Sequence, residues 1–253
     1  MKIHRTSLLI AAALAVFAVA IHFAVAAPPY EPTIEPANFS ADVTNPYFTL
    51  TPGTTYTYKS QDDGGTEVNK VTVTEKTRKV MGVTTRIVWD RVWLNDKLIE
   101  ETYDWYAQDK EGNVWYFGED SKAYKKGEAV SAKGSWEAGV DGAKPGIVMQ
   151  AQLHPGVPYR QEYKAGEAED MGQIVSLGES VTTPAGTFKD CLKTKDWSAI
   201  ENGGVEHKYY SREAGNVVLE TEEGDKKRVE LIEITKATIE ALASFARILL
   251  PMP

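Results

Sequence analysis

The chain has 253 residues, 42% of them hydrophobic and 25% charged, so it can bury the core of one large β domain or of two small ones. Its net charge of −8 repels phosphate backbones and anionic lipid surfaces, which argues against nucleic-acid binding. The lone cysteine, Cys191, excludes an internal disulfide, and its place in a predicted strand favours a small buried apolar residue over a reactive thiol.

The first 26 residues have the features of a secretory signal peptide. An apolar run follows Lys2 and Arg5, and the small residues Ala24 and Ala26 predict cleavage after Ala26. The alternative is an uncleaved membrane anchor, because residues 7–26 reach spanning length, about 20 residues. We expect a periplasmic or secreted protein without stable membrane insertion, whose net charge becomes about −10 once both basic residues leave with the signal.

Two series of strands are predicted after an extended arm over residues 27–50. The first covers residues 54–59, 68–77, 83–93, 98–108 and 114–118, and the second covers 159–163, 174–181, 188–197, 205–211, 217–222 and 229–235. Short strands separated by polar turns are typical of antiparallel meanders. The helical spacing of Ile239, Leu242 and Leu249 predicts one helix over residues 237–250, long enough to plug an open end of the sheet.

The second series repeats the first at an offset of 103 or 104 residues. Gly112 and Asn113 recur as Gly215 and Asn216, and Trp93 recurs as Trp197. Glycine and asparagine tolerate the positive φ of tight turns, so shared turn chemistry is the alternative explanation. Tandem duplication is favoured because tryptophan is rare and the order of the matches never breaks.

The predicted fold class is mostly β. Two tandem-duplicated antiparallel meanders form a curved sheet, a half-barrel or a sandwich, with one C-terminal helix. The predicted parts are a signal peptide (1–26), an N-terminal arm (27–50), a first β repeat (51–133), a Gly-rich connection (134–150), a second β repeat (151–236), and a C-terminal helix and tail (237–253).

The catalytic inventory of the mature chain is small. His154 and His207 are its only histidines, and neither has partners at a spacing that indicates a triad or a metal site. No nucleophile elbow, zinc motif, P-loop or dinucleotide fingerprint occurs. We predict no catalytic residue, cofactor or metal ligand from the pattern, although the many carboxylates leave a two-carboxylate hydrolase open.

An aromatic and acidic hairpin is the most unusual local feature. Aromatic rings stack on sugars or flat apolar ligands, and carboxylates accept hydrogen bonds at the rim of such a site. The alternative is a hairpin buried on both faces, in which cross-strand aromatic pairs stabilise the sheet. The candidate ligand-binding residues are Asp104, Trp105, Tyr106, Trp115, Tyr116 and Trp136.

Two segments carry a resemblance to known proteins. Residues 104–109 and 112–119, read as DWYAQD and GNVWYFGE, resemble a family of uncharacterised exported bacterial β-rich proteins. Residues 183–191, TPAGTFKDC, are similar to a β-turn-β signature of exported β proteins. In plan the chain is also similar to periplasmic lipoprotein carriers, whose half-barrels hold acyl chains. This resemblance implies a carrier-like fold and brings no catalytic residue.

The leading hypothesis is an exported non-enzymatic binding protein that holds an apolar or amphiphilic ligand on a concave β surface. Duplicated meanders, many aromatic residues and few catalytic groups support it. The alternatives are a carboxylate-dependent, glycosidase-like hydrolase and a structural or envelope-assembly protein.

Overall fold

Antiparallel strands make up most of the structure, a computed structural model that describes residues 29–198, 200, 204–223 and 227–236. The one helical element within these ranges is a 3-10 turn at Pro36–Asn38. No helix of the described residues has the length and apolar character that crossing a membrane requires. The predicted signal peptide and the predicted helix over residues 237–250 lie outside the described residues.

Eighteen strands lie within the described part of the chain. The first nine are β1 (Phe39–Ser40), β2 (Thr44–Asn45), β3 (Phe48–Thr49), β4 (Thr54–Asp62), β5 (Gly65–Val80), β6 (Val83–Leu94), β7 (Lys97–Asp109), β8 (Val114–Lys125) and β9 (Glu128–Ser131). The other nine are β10 (Trp136–Glu137), β11 (Lys144–Met149), β12 (Pro158–Arg160), β13 (Glu162–Tyr163), β14 (Asp170–Thr183), β15 (Gly186–Ser198), β16 (Val205–Ser211), β17 (Asn216–Glu222) and β18 (Arg228–Lys236).

The strands predicted from alternation are confirmed, and most extend further than predicted. The exception is the predicted strand over residues 159–163, which divides into β12 and β13 at Gln161. The missed strands are β1 to β3 in the arm and β9 to β11 between the two series. Most of these have two to four residues, too few for a periodic pattern to show.

The mostly β fold class is confirmed, and the sheet consists of two meanders with the same plan. The first runs β4-β5-β6-β7-β8-β11, and the second runs β12-β14-β15-β16-β17-β18, each strand antiparallel to the next. Pairing of β18 with β4 joins the two meanders into one sheet. This common strand order supports the predicted duplication, whose evolutionary origin stays a prediction.

One short segment brings the two edges of the sheet together, so that the sheet nearly closes as a barrel. β12 pairs with β14 at one edge, and β13, directly after it, pairs with β11 at the other. Gly146 of β11 lies so close to this segment that an added Cβ would overlap the main chain of Gln161. Glycine at this position therefore permits the close approach that closure requires.

The N-terminal arm packs against one end of the barrel. The β2-β3 hairpin is held there by side-chain amides, since the Asn45 side chain donates to the carbonyl of Gly112 at 3.0 Å, and Gln108 accepts from the Asn45 amide at 2.8 Å. Val43 and Leu50 are each 2% exposed within the interior core. The arm thus seals the end at which the β7-β8 and β16-β17 turns lie.

Two apolar clusters lie on opposite faces of the sheet. The interior cluster contains Cys191, which is fully buried, as predicted for a small apolar residue. The outer cluster surrounds Trp105 and Phe117, and residues 136–143 cover it. The connection between the two meanders is therefore a packed cover over the outer face of β7 and β8, with Trp136 4% exposed.

Candidate functional site

A cavity of about 390 Å³ lies inside the barrel, between the arm and the walls formed by both meanders. Its volume suits a small organic ligand. Aromatic and aliphatic side chains form part of the wall: Phe48, Leu50, Tyr58, Val71, Val88, Tyr106, Tyr116, Val148, Tyr210, Val217 and Val229. Polar and charged side chains form the rest: Glu67, Asn69, Asp90, Asp104, Gln161, Glu162, Asp170, Lys208, Asn216, Glu220 and Lys227.

Half of the predicted ligand-binding residues line this cavity. Asp104 and Tyr106 of β7 and Tyr116 of β8 are wall residues. The Tyr116 hydroxyl donates to Asp104 at 2.7 Å, and its ring stacks on Tyr106 with centroids 4.8 Å apart. The ring of Phe48 in the arm packs against that of Tyr106, with centroids 5.2 Å apart, so the arm also positions this wall.

The three predicted tryptophans lie away from the cavity. Trp105 follows Asp104 in β7 and faces the outer cluster, because successive strand residues point to opposite faces. There the Arg78 guanidinium lies 4.1 Å from the ring centroid of Trp105. Trp115 donates to Asp109 at 2.7 Å and supports the β7-β8 turn. Trp136 meets the Tyr116 ring edge-on, with centroids 5.3 Å apart.

Three carboxyl groups line the cavity near each other, those of Asp90, Asp104 and Glu162, and a fourth, that of Glu119, lies beside Asp104 without lining the cavity. Asp104 and Glu119 are direct partners across β7 and β8, so their side chains leave the same face. Asp90 lies on β6, two residues beyond Val88, which is the direct partner of Asp104, and it accepts from the Asn69 amide at 2.9 Å. Glu162, from the closing segment, is 8% exposed. We call Asp90, Asp104, Glu119 and Glu162 the carboxyl cluster.

Burial and mutual repulsion raise the pKa of every member of the carboxyl cluster. Desolvation, followed by the Asp104 charge, raises the pKa of Asp90 to about 7. Desolvation also raises the pKa of Asp104 to about 7, against a lowering by the Tyr116 hydrogen bond. Desolvation is also the largest cause that raises the pKa of Glu162 to about 7 and that of Glu119 to about 9. The cluster therefore holds protons near neutral pH.

An ammonium group with its own carboxylates lies on the second meander. Lys208 of β16 is 3.4 Å from Asp196 and 3.9 Å from Glu220. Burial alone would lower the pKa of Lys208, but Asp196 and Glu220 outweigh it and hold that pKa well above its usual value. Lys227, directly before β18, pairs with Glu67 near the start of β5 at 3.3 Å. Both wall lysines thus have carboxylate partners.

Sequence reasoning missed most of the polar wall. Asp90, Glu162, Lys208 and Glu220 are scattered among ordinary strand residues, and their common face becomes visible only from the strand register. The two histidines among the described residues lie elsewhere: His207 Nδ1 contacts the Thr194 carbonyl at 3.0 Å, and the His154 amide donates to Gln150. Among the described residues no group of three histidine, cysteine or acidic side chains could hold a metal ion.

Comparison with known proteins adds a distant structural neighbour. The chain matches no protein-family model and no curated protein. It is similar to the crystal structure of a "putative lipoprotein" from Parabacteroides distasonis, with 14% sequence identity and a TM-score of 0.40. The similarity covers 75% of this chain and 98% of that chain.

Proposed function

We propose that this protein is an exported, non-enzymatic binding protein that holds a small amphiphilic ligand inside the barrel. The observation that carries the proposal is the cavity of about 390 Å³, whose wall combines valines and aromatic rings with fixed polar groups. Ligand sites of small-molecule binding proteins have this composition. Because charged side chains form much of the wall, an amphiphilic ligand suits it better than a wholly apolar one.

Export rests on the sequence of the first 26 residues, with its basic start, apolar run and small residues before Ala27. Expression of the full chain in a bacterial host and intact-mass measurement of the periplasmic fraction test it. A mature chain that begins at Ala27 is the expected product. A chain of full length retained with the membrane would contradict export with cleavage and would support the anchor alternative.

Filling the cavity tests the binding site directly. Val71 lines the cavity, whereas Val175, its match at an offset of 104, is 40% exposed. We expect wild-type protein and the matched control Val175→Trp to enhance the fluorescence of N-phenyl-1-naphthylamine, and Val71→Trp to abolish the enhancement because the indole occupies the cavity. Circular dichroism establishes that both variants are folded. Equal enhancement by folded Val71→Trp and wild type would overturn the proposed site.

A carboxylate-dependent hydrolase is the second candidate, and the paired Asp104 and Glu119 favour it. A glycosidase uses one protonated and one ionised carboxyl, and two groups with pKa values of about 7 and about 9 could divide these roles. Aryl glycosides that release a chromophore provide the assay. Turnover that Asp104→Asn abolishes would favour the hydrolase, while the binding proposal expects no turnover by either protein.

A further inference from the structure

The carboxyl cluster (Asp90, Asp104, Glu119 and Glu162) has no cationic partner among the described residues. The ion pairs of the described chain involve none of its four members. The two lysines of the wall, Lys208 and Lys227, are engaged with other carboxylates. Buried carboxyls without a counter-charge cost stability, and such groups concentrate at functional sites.

Other polar atoms at this place also lack partners. Asn69 lines the cavity, and its Oδ1 is buried without a hydrogen bond. Trp136, 4% exposed, directs its indole N–H toward Glu162 without completing a hydrogen bond. Glu162 itself is more than nine-tenths buried and faces the cavity. The unpaired oxygen of Asn69 in β5 and the carboxyl group of Glu162 in β13 therefore both lie at the wall of the same cavity.

We propose that the carboxyl cluster holds the ammonium group of an organic amine, and that the bound ammonium replaces protons that the cluster otherwise carries. This inference rests on the proposed function, because it names the ligand class of the same cavity. The exchange balances charge without any covalent step: the amine enters as R–NH₃⁺, and a carboxyl proton leaves to water.

The rest of the wall favours an amine with an apolar body over a metal ion or a sugar. The stacked rings of Tyr106 and Tyr116 border the cluster, and aromatic faces attract ammonium groups. Val71 and Val88 continue the wall from there and would contact a hydrocarbon chain. A metal ion would leave most of the cavity unfilled, and a sugar would leave these valines facing hydroxyl groups.

The charged groups that face the cluster set the pKa values of its carboxyls and therefore the pH dependence of binding. The strands around it contribute acidic groups in the main: Glu67 of β5, Glu100 of β7, Asp170 of β14 and Glu220 of β17. Arg91 lowers the pKa of Asp90 and Lys208 lowers that of Glu162, but neither brings these values below about 7. With pKa values of about 7, Asp90, Asp104 and Glu162 therefore ionise between pH 6 and 8, while an alkylammonium with a pKa of about 10 stays charged.

A charge series of equal chain length tests the ligand class. Calorimetric titration with octylammonium, octan-1-ol and octanoate at pH 8 isolates the head group, since the three share one hydrocarbon chain. We expect octylammonium to bind at least about tenfold more tightly than octan-1-ol, and octanoate to bind weakest because the cluster repels it. At pH 5.5 a carboxyl of pKa about 7 is ionised to about 3%, so octylammonium affinity should fall about 30-fold.

Two carboxamide variants and one control assign the effect to the cluster. Asp104→Asn and Glu162→Gln keep the side-chain shape and should each weaken octylammonium binding about tenfold while leaving octan-1-ol unchanged. Glu128→Gln removes an exposed carboxylate of β9 and should change neither. Titration in two buffers of different ionisation enthalpy should show proton release at pH 7 by wild type, and less by Asp104→Asn.

The outcomes separate this inference from the function on which it rests. Equal affinity for octylammonium and octan-1-ol, or octylammonium binding that is independent of pH, would overturn the amine assignment. If the amine assignment fails but Val71→Trp still abolishes the fluorescence enhancement of N-phenyl-1-naphthylamine, the cavity is a binding site for neutral ligands. If folded wild-type protein binds neither N-phenyl-1-naphthylamine nor octylammonium, the proposed function itself is overturned.

Discussion

Neutralising Asp104 should stabilise the protein, and more so at high pH than at low pH. The folded chain raises the pKa of this carboxyl from 3.8 to about 7, mainly because the group is buried. The folded state therefore binds the proton more tightly than the unfolded state does. The stability associated with the bound proton is present in full below about pH 4 and is lost as the pH rises to about 7.

Asp104→Asn keeps the acceptor for the Tyr116 hydroxyl and removes the ionisation. With a pKa of 3.8 in the unfolded state and about 7 in the folded state, the ionisable Asp104 lowers the free energy of unfolding by about 4 kcal/mol at pH 8 and by about 2 kcal/mol at pH 5, relative to a group that stays neutral. These figures are upper bounds, because neighbouring carboxyls share the charge. The variant should therefore gain about 2 kcal/mol more at pH 8 than at pH 5.

Urea unfolding followed by tryptophan fluorescence at pH 5 and pH 8 measures the difference. Comparing one variant at two pH values cancels any packing change that the substitution causes. Glu128→Gln on the exposed strand β9 serves as the control and should show the same stability difference at both. An Asp104→Asn stability effect that is equal at both pH values, or that is more favourable at pH 5, would refute a raised pKa at this position.

Three further predictions concern the supports of the cavity. Lys208→Met should cost about 3 kcal/mol in urea unfolding, because Asp196 is left buried without its cation; a neutral result would show that the pair adds nothing. Gly146→Ala should cost about 2 kcal/mol or more, since a Cβ overlaps the Gln161 main chain, and an unchanged melting temperature would contradict this closure. Burial raises the pKa of the Cys191 thiol to about 11, so 5,5′-dithiobis(2-nitrobenzoate) should label it on the order of 100-fold more slowly in folded than in urea-unfolded protein. Equal labelling rates would show an accessible thiol.

The strands and their order could be predicted because each rests on local signals. Alternating side chains predicted β6 and β7, and the turn at Gly112 and Asn113 lies where turn chemistry requires it. The Asp109 carboxylate accepts from the Asn113 amide at 2.8 Å, which fixes this turn through neighbours in sequence. Information of this kind extends over only a few residues.

Closure of the sheet and the cavity wall could not be predicted because both depend on long-range pairing. The segment around Gln161 pairs with β14 on one side and β11 on the other, a division that no local pattern encodes. Trp105 and Tyr106 are equally aromatic, and only the register decides which of them lines the cavity. The sequence identified the right hairpin, and the structure selected its inner face.

The two meanders have the same strand order but place side chains of opposite charge at one matched position of the cavity wall. At an offset of 104 residues Asp104 corresponds to Lys208, and both line the wall. The same offset matches Tyr106 to Tyr210, which also lines it, whereas the offset of 103 matches Tyr106 to Tyr209, which does not. A shift of one residue exchanges the two faces of a strand, so 104 is the offset that keeps the inner faces in phase through β7 and β16.

A duplicated shell in this form can hold an asymmetric ligand. If both copies presented Asp104-like carboxyls, repulsion across the cavity would raise every pKa further and favour the fully protonated, uncharged wall. Lys208, held by Asp196 and Glu220, instead places an ammonium group in the second wall opposite the acidic first wall. Reversing the sign at Lys208 with Lys208→Glu should therefore weaken octylammonium binding at pH 7, even though it adds negative charge, because the carboxyl cluster would retain its protons to higher pH. Tighter octylammonium binding by folded Lys208→Glu would show that net charge alone, without the division of the wall, governs recognition.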